Sequence, residues 1–137
     1  MLYYAFFKQM NQPERFGEII DTYLRHGWQL ERVLLCTETL RAIEAIAATT
    51  IPSPNILFHD ASVRESTVDA LWFKRAAQAT GREAWELRLV SDSPYALFET
   101  FEADEAEEDR EDVRREMESR LIETTNNARA DKLSQSS

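Results

Sequence analysis

The neighbouring residues His59 and Asp60 come nearest to catalytic chemistry in this sequence. An imidazole can act as a general base near neutral pH, and a carboxylate can orient it. The pair lies at the end of the apolar segment 55–59, which we predict to be a strand, and sites often lie where strands end. Adjacent residues of a strand point to opposite faces, so we do not expect Asp60 to hold His59 directly. An enzyme or small-ligand site here would also use Arg64 or Arg88.

The other reactive side chains have simpler explanations. Cys36 follows an apolar run with no base at a recognisable spacing, so we interpret it as a buried structural thiol. His26 is expected at a helix C-terminus, where its positive charge is favourable. The three glycines are isolated and cannot form a phosphate-binding loop. The sequence therefore predicts no catalytic constellation, no cofactor and no metal site, and it favours a non-enzymatic protein.

Residues 102–112 form an acidic block of eight carboxylates and one arginine. A calcium loop needs ligands at alternating positions and a glycine at its turn, and the block has neither. Mimicry of nucleic-acid phosphate would require carboxylates spread over a rigid face. We interpret the block as a solvated linker or the entry to a helix. Docking on a basic partner is the alternative.

Charge and composition limit the partners and the compartment. The net charge is −9, and an acidic protein lacks the basic face that phosphate contacts need, so nucleic acid is not expected. No apolar stretch approaches the ~20 residues of a membrane span, and residues 1–7 are too short for a signal core. A single cysteine fits a reducing compartment. We predict a cytoplasmic protein.

The first half of the chain alternates helices and strands. Phe16, Ile19, Ile20, Tyr23 and Leu24 repeat at three and four, which predicts a helix over 13–26. A strand is predicted over 28–36, and a second helix from Thr37 or Thr39 to residue 48. Within residues 1–8, residues 1–7 are apolar on every side. Periodicity does not separate a strand from a helix there, and the aromatic residues favour a strand slightly.

The second half shows the alternation of β-strands. Segments 69–75, 83–90 and 95–101 are separated by turn residues and predict a three-stranded antiparallel meander. A helix over 66–80 is the competing interpretation. With this period-two alternation, one face carries Leu71, Phe73, Trp85, Leu87, Leu89, Ala96 and Phe98. The opposite face then carries Trp72, Lys74, Glu86, Arg88 and Glu99.

Trp72 among charged residues is the first candidate for a partner surface. An exposed tryptophan is a common interface anchor, and Lys74, Glu86 and Arg88 would complete the surface. Cover by the acidic tail helix is the main alternative, and a ligand site is another. The tail carries Val113, Met117 and Leu121 four residues apart, which predicts a short amphipathic helix that docks on the domain or pairs with a second copy.

We therefore predict an α+β fold, with two helices packed on a mainly antiparallel sheet that ends in a C-terminal three-stranded meander. The helices should cover the face with Phe73, Trp85, Leu87, Leu89 and Phe98. Residues 1–101 form the compact domain, and residues 102–137 form an acidic linker, a short helix and a disordered polar end. The expected function is protein binding or regulation, with a homodimer as one form of partner, and a site near His59 and Asp60 is the alternative.

Overall fold

The computed structural model of the chain describes residues 11–49, 58–77 and 79–135. Within these ranges the fold is α+β, as predicted, and the C-terminal helix is present. The predictions for residues 1–8 lie outside the described residues. The elements in chain order are α1 (Gln12–Arg25), β1 (Gln29–Leu35), α2 (Thr37–Thr49), β2 (Ser62–Glu65), β3 (Ala70–Ala77), β4 (Arg82–Leu89), β5 (Ala96–Phe101) and α3 (Glu107–Gln135).

The strands form one mixed sheet in the order β2-β1-β3-β4-β5. β1 and β2 are parallel, while β1–β3, β3–β4 and β4–β5 are antiparallel. Because parallel neighbours need a long crossover, α2 lies in the connection between β1 and β2. β2 and β5 are therefore the two edges of the described sheet.

The segment before β2 differs from the prediction. Most of the predicted strand 55–59 lies outside the described residues, but Phe58, His59 and Asp60 form a turn. His59 and Asp60 have φ angles of 51° and 62°, in the left-handed region that no strand uses. The strand follows instead as β2. Its four residues are all exposed, so burial does not alternate along this strand.

Local signals explain the predicted helix 13–26. The side-chain oxygen of Asn11 accepts a hydrogen bond from the backbone N–H of Glu14 at 2.9 Å, and Pro13 lies in the first turn. The helix ends before Gly27, whose φ of +88° is accessible to glycine at little cost. α1 therefore begins and ends close to the predicted residues.

Both faces of the sheet are covered by helices, so the molecule has three layers. On the first face, α1 and α2 pack on a cluster made of Phe16, Ile20, Val33, Leu35, Ile43, Phe58, Leu71, Phe73 and Val90. On the second face, α3 packs on a cluster made of Leu34, Val68, Ala70, Trp72, Trp85, Leu87, Phe101, Met117 and Leu121. We call these the α1 face and the α3 face.

The predicted assignment of side chains to faces is wrong between β3 and β4, and also between β4 and β5, where Phe98 lies opposite Glu86 and not on the face of Leu87. Trp72 lies opposite Leu87, and Phe73 lies opposite Glu86, so Trp72 shares the α3 face with Leu87. The alternation within each strand is as predicted, but the strands are out of phase by one residue. Because both faces of β3 are buried, its sequence does not show which face matches the apolar face of β4.

The tail differs from the predicted linker and short helix. Helical structure begins at Glu107, inside the acidic block, and continues for 29 residues through Asn126 and Asn127 to Gln135. Met117 and Leu121 are buried in the cluster of the α3 face. The tail helix is therefore a layer of the described structure. None of the described helices is both long and apolar enough to cross a membrane.

Candidate functional site

Trp72 is completely buried beneath α3, so the expectation of an exposed tryptophan is wrong and the alternative of cover by the acidic helix is correct. Its indole Nε1–H donates to Glu118 Oε2 at 2.8 Å. Its ring meets the ring of Trp85 edge to face, with centroids 5.8 Å apart. Glu118 also forms an ion pair with Arg64 of β2. α3 thus satisfies both the apolar and the polar part of Trp72.

Arg114 of α3 is the most enclosed charged side chain in this region, with 1% of its surface exposed. Its guanidinium carbon lies 4.3 Å from the ring centroid of Trp85 and 5.5 Å from that of Phe101. Its Nε donates to Glu111 at 2.9 Å, and it also pairs with Glu107. A cation held over aromatic rings and paired with carboxylates stabilises the docking of α3.

The acidic block binds cations of the same chain. Arg32 of β1 donates to both carboxylate oxygens of Glu111, at 2.8 and 3.1 Å. Arg110 donates to Glu83 Oε1 at 2.8 Å and to the backbone oxygen of Glu102 at 2.7 Å. Part of the block is therefore neutralised within the fold, which the composition of residues 102–112 did not indicate.

The pKa values of two carboxyl groups record this neutralisation. Burial alone would raise the pKa of Glu111, but hydrogen bonds and positive charge from Arg32 and Arg114 outweigh burial and hold it below 4.5. Burial likewise opposes the shift at Glu83, whose pKa is lowered by the Trp85 indole and by nearby cations. Both carboxylates favour the folded state in their ionised form.

His59 and Asp60 do not meet the other residues proposed for an enzyme site. Both lie exposed in a turn. Arg64 is on β2 and points to the α3 face, where it pairs with Glu118. Arg88 is on β4 and lies opposite Leu71, which belongs to the α1 face. Two strands separate β2 from β4, which places these arginines about 14 Å apart along the sheet and on opposite faces.

A buried carboxylate that the sequence analysis missed joins three elements. Asp69 accepts hydrogen bonds from the backbone N–H of Cys36 at 2.8 Å, from Thr39 Oγ1 at 2.5 Å and from Gln12 Nε2 at 2.9 Å. These contacts hold the start of α1 and the start of α2 against the strand that follows Asp69. Cys36 itself is partly exposed, not buried as expected. Among the described residues, no three metal-binding side chains converge.

The α1 face carries an aromatic group that remains accessible. Phe98 of β5 is 57% exposed, and its ring meets that of Trp28 edge to face at 6.5 Å. Trp28 meets Tyr23 at 6.1 Å, and Tyr23 is stacked on Phe73 at 4.0 Å. We call Tyr23, Trp28 and Phe98 the Phe98 patch. The patch contacts the core through Phe73, on which Tyr23 is stacked, and reaches solvent at Phe98.

Glu86 forms the polar border of the Phe98 patch. It lies opposite Phe98 on the neighbouring strand, and its carboxylate accepts a hydrogen bond from the Tyr23 hydroxyl. Burial, together with this hydrogen bond and the charge of Glu86, raises the pKa of Tyr23 to about 12. Tyr23 is a neutral donor at physiological pH, and its hydrogen bond to Glu86 links the end of α1 to β4.

The predicted partner residues are thus divided between two faces. Trp72 and Lys74 lie on the α3 face, where Lys74 is 3.7 Å from Glu83 and 3.9 Å from Glu31. Glu86 and Arg88 lie on the α1 face beside the Phe98 patch. The alternation in the sequence predicts that helices cover Phe98. It does not show that α1 and α2 end before β5.

Comparison with known proteins gives no further assignment: no protein-family model matches the chain, and no match was found among curated proteins or solved structures.

Proposed function

We propose that this chain is a non-enzymatic, cytoplasmic protein-binding module, and that its contact surface is the Phe98 patch. The observation that carries the proposal is the 57% exposure of Phe98. Aromatic side chains are enriched at protein interfaces, and exposed apolar groups next to a rigid aromatic base are typical anchors. The stacked and edge-to-face rings of Phe73, Tyr23 and Trp28 supply that base.

The surroundings of the patch support protein as the partner. The exposed ring of Phe98 lies on β5, which pairs with β4, so it is held by a strand of the sheet and not by a loop. Glu86 and Arg88 provide charged groups at its border, as the polar rim of an interface does. By contrast, no hydrogen bond or ion pair joins His59 or Asp60 to another described side chain, so an enzymatic site there lacks geometric support.

The test compares Phe98→Asp with Val63→Asp. Val63, 40% exposed on the opposite edge strand β2, is the other exposed large hydrophobic side chain in the described ranges, so it controls for a new surface charge. Tagged full-length variants are used to capture proteins from a lysate of the source cells, and the captured proteins are identified by mass spectrometry. We expect wild type and Val63→Asp to retain one common protein that Phe98→Asp loses.

Retention of that protein by Phe98→Asp would contradict the proposal, provided the variant melts within a few degrees of wild type. Loss with both variants would also contradict it, because the effect would then follow added charge and not the Phe98 patch.

A further inference from the structure

We propose that the partner contributes an extended segment that pairs with the free edge of β5, and that this segment alternates apolar and basic residues. The inference rests on the proposed function, in which the Phe98 patch binds protein. It adds the mode of binding and the chemistry of the partner. Three observations carry it: the hydrogen-bonding pattern of β5, the faces on which its side chains lie, and the charges around it.

The backbone of β5 leaves donors and acceptors directed away from the sheet. The N–H of Leu89 donates to the carbonyl oxygen of Tyr95 at 2.9 Å, and these two residues continue the β4–β5 register. Since hydrogen-bonded and non-hydrogen-bonded pairs alternate in an antiparallel ladder, the backbone groups of Leu97 and Glu99 point toward β4. Those of Ala96, Phe98 and Thr100 point outward.

No described strand lies beyond β5, so these outward groups have no sheet partner in the ranges that the structure covers. One of them is occupied locally: the N–H of Thr100 donates to Glu99 Oε1 at 2.9 Å. This contact agrees with the outward direction of Thr100. Ala96 and Phe98 are both exposed, and a strand edge of this kind is a template for pairing with another chain.

The side chains of β5 specify the pattern of the incoming strand. Phe98 points to the α1 face and Glu99 points to the α3 face, since successive side chains alternate. A paired strand would place one set of side chains beside Phe98 and the other beside Glu99. An apolar residue complements the first, and a basic residue complements the second.

The charge of the surroundings favours a basic segment over a second copy of this chain. Glu99 lies in the strand, and the exposed carboxylates Asp104 and Glu105 follow shortly after it. The nearby cation Arg82 is already paired with Glu102. Each copy of the chain carries a net charge of −9, so two copies repel one another at this edge.

The probe is a seven-residue synthetic peptide of alternating lysine and valine, with a glutamate–valine peptide of the same length as the control. Both are titrated into the full-length protein and followed by amide NMR and hydrogen exchange. We expect the lysine peptide to shift the amide signals of Ala96 and Phe98 and to slow their exchange at least about tenfold. The glutamate peptide should bind at least about tenfold more weakly.

Ala96→Pro tests whether the backbone edge is responsible. Proline removes the outward N–H, and at the first residue of an edge strand it leaves the pairing with β4 intact. We expect Ala96→Pro to weaken binding of the lysine peptide, and the matched variant Ala96→Val to bind it as wild type does. Glu99→Gln should reduce the preference for lysine over glutamate without removing edge pairing.

Slow exchange of Ala96 and Phe98 in the free protein would overturn the inference, because the edge would already be covered by a second copy or by another segment of the chain. Equal binding of the two peptides, or unchanged binding by Ala96→Pro, would overturn it as well. These outcomes are separable from the proposed function: if Ala96→Pro still captures the cellular protein that Phe98→Asp loses, the patch binds protein without strand addition.

Discussion

Both faces of the sheet carry aromatic side chains, but the two faces differ in how much of these side chains is exposed to solvent. On the α3 face, Trp72 is fully buried and its indole N–H is bonded to Glu118. On the α1 face, Phe98 belongs to an aromatic group of the same kind, yet more than half of it is exposed. The difference shows that the exposure of an aromatic residue on this sheet depends on how far the covering helix extends, not on the charged residues predicted to share its face.

Helix coverage explains the contrast. A helix covers roughly two strands, because its diameter is about 10 Å and strands lie about 4.8 Å apart. The buried cluster of the α1 face uses β1 and β3 and contains no residue of β5. The cluster of the α3 face includes Phe101 of β5, with Leu97 packed against it. Among the described helices, α3 is therefore the one that reaches β5.

Deletion of residues 102–137 should have the largest effect. The sequence alone predicts that residues 1–101 fold without the tail, but deletion would expose Trp72, Trp85, Leu87 and Phe101. Each large apolar side chain contributes about 1.5–3 kcal/mol when buried, and a domain has only ~5–15 kcal/mol of stability in total. We expect the truncated protein to lose its cooperative thermal transition. A melting temperature close to wild type would contradict the role assigned to α3.

Replacing one aromatic residue on each face compares the faces directly. Trp72→Ala should lower the free energy of unfolding by ~3–5 kcal/mol, since it removes a fully buried ring and leaves Glu118 without the indole donor. Phe98→Ala should lower it by less than ~1 kcal/mol. Urea denaturation of both variants measures the difference. Equal losses would mean that the two residues are not in different environments.

Arg114→Ala should destabilise the protein by about 2 kcal/mol, because it removes the cation between the rings of Trp85 and Phe101. The matched control is Arg115→Ala on the next residue, whose side chain is exposed and pairs only with Asp112 among the described residues. The control should change stability by less than ~0.5 kcal/mol. A similar effect of both variants would show that the ring contacts of Arg114 contribute little.

Acidification should weaken the docking of α3. The folded pKa values of Glu83 and Glu111 are below their ordinary value of 4.5. The stabilisation from these carboxylates is therefore fully present above pH 4.5 and is lost as the pH falls below it. We expect the melting temperature to fall between about pH 5 and 3, and Glu111→Gln to reduce this slope. Glu116→Gln, which changes an exposed carboxylate of the same helix, serves as the control and should leave the slope unchanged.

The sequence predicted those features that local patterns determine. α1 has a cap, an apolar stripe and a terminal glycine, so its bounds and its buried face were readable. β2 has no alternation and follows an irregular turn, so it was missed. The phase between β3 and β4 was wrong because β3 is apolar on both faces, so its own alternation does not show which of them matches the apolar face of β4. Phase depends on pairing between distant residues, and periodicity within a strand does not record it.

The candidate site also depends on contacts between residues that are distant in sequence. The prediction of Trp72 as a partner residue depends on the charged residues placed on its face. Glu86 and Arg88 lie on the other face instead, and Lys74 pairs with Glu31 and Glu83. The sequence predicts that helices cover the face of Phe98, but the cluster beneath α1 and α2 contains no residue of β5. The sequence predicts a solvated acidic block because the partners of its residues, Arg32 and Glu83, are about 80 and 30 residues away along the chain.

Hydrogen exchange of the full-length protein, followed by NMR without added ligand, tests the contrast between the faces most directly. We expect the Trp72 indole N–H to exchange only with global unfolding, as core groups do, and the amides of Ala96 and Phe98 to exchange rapidly from the folded state. Rapid exchange of the Trp72 indole, or protection of Ala96 and Phe98 equal to that of β4, would contradict it.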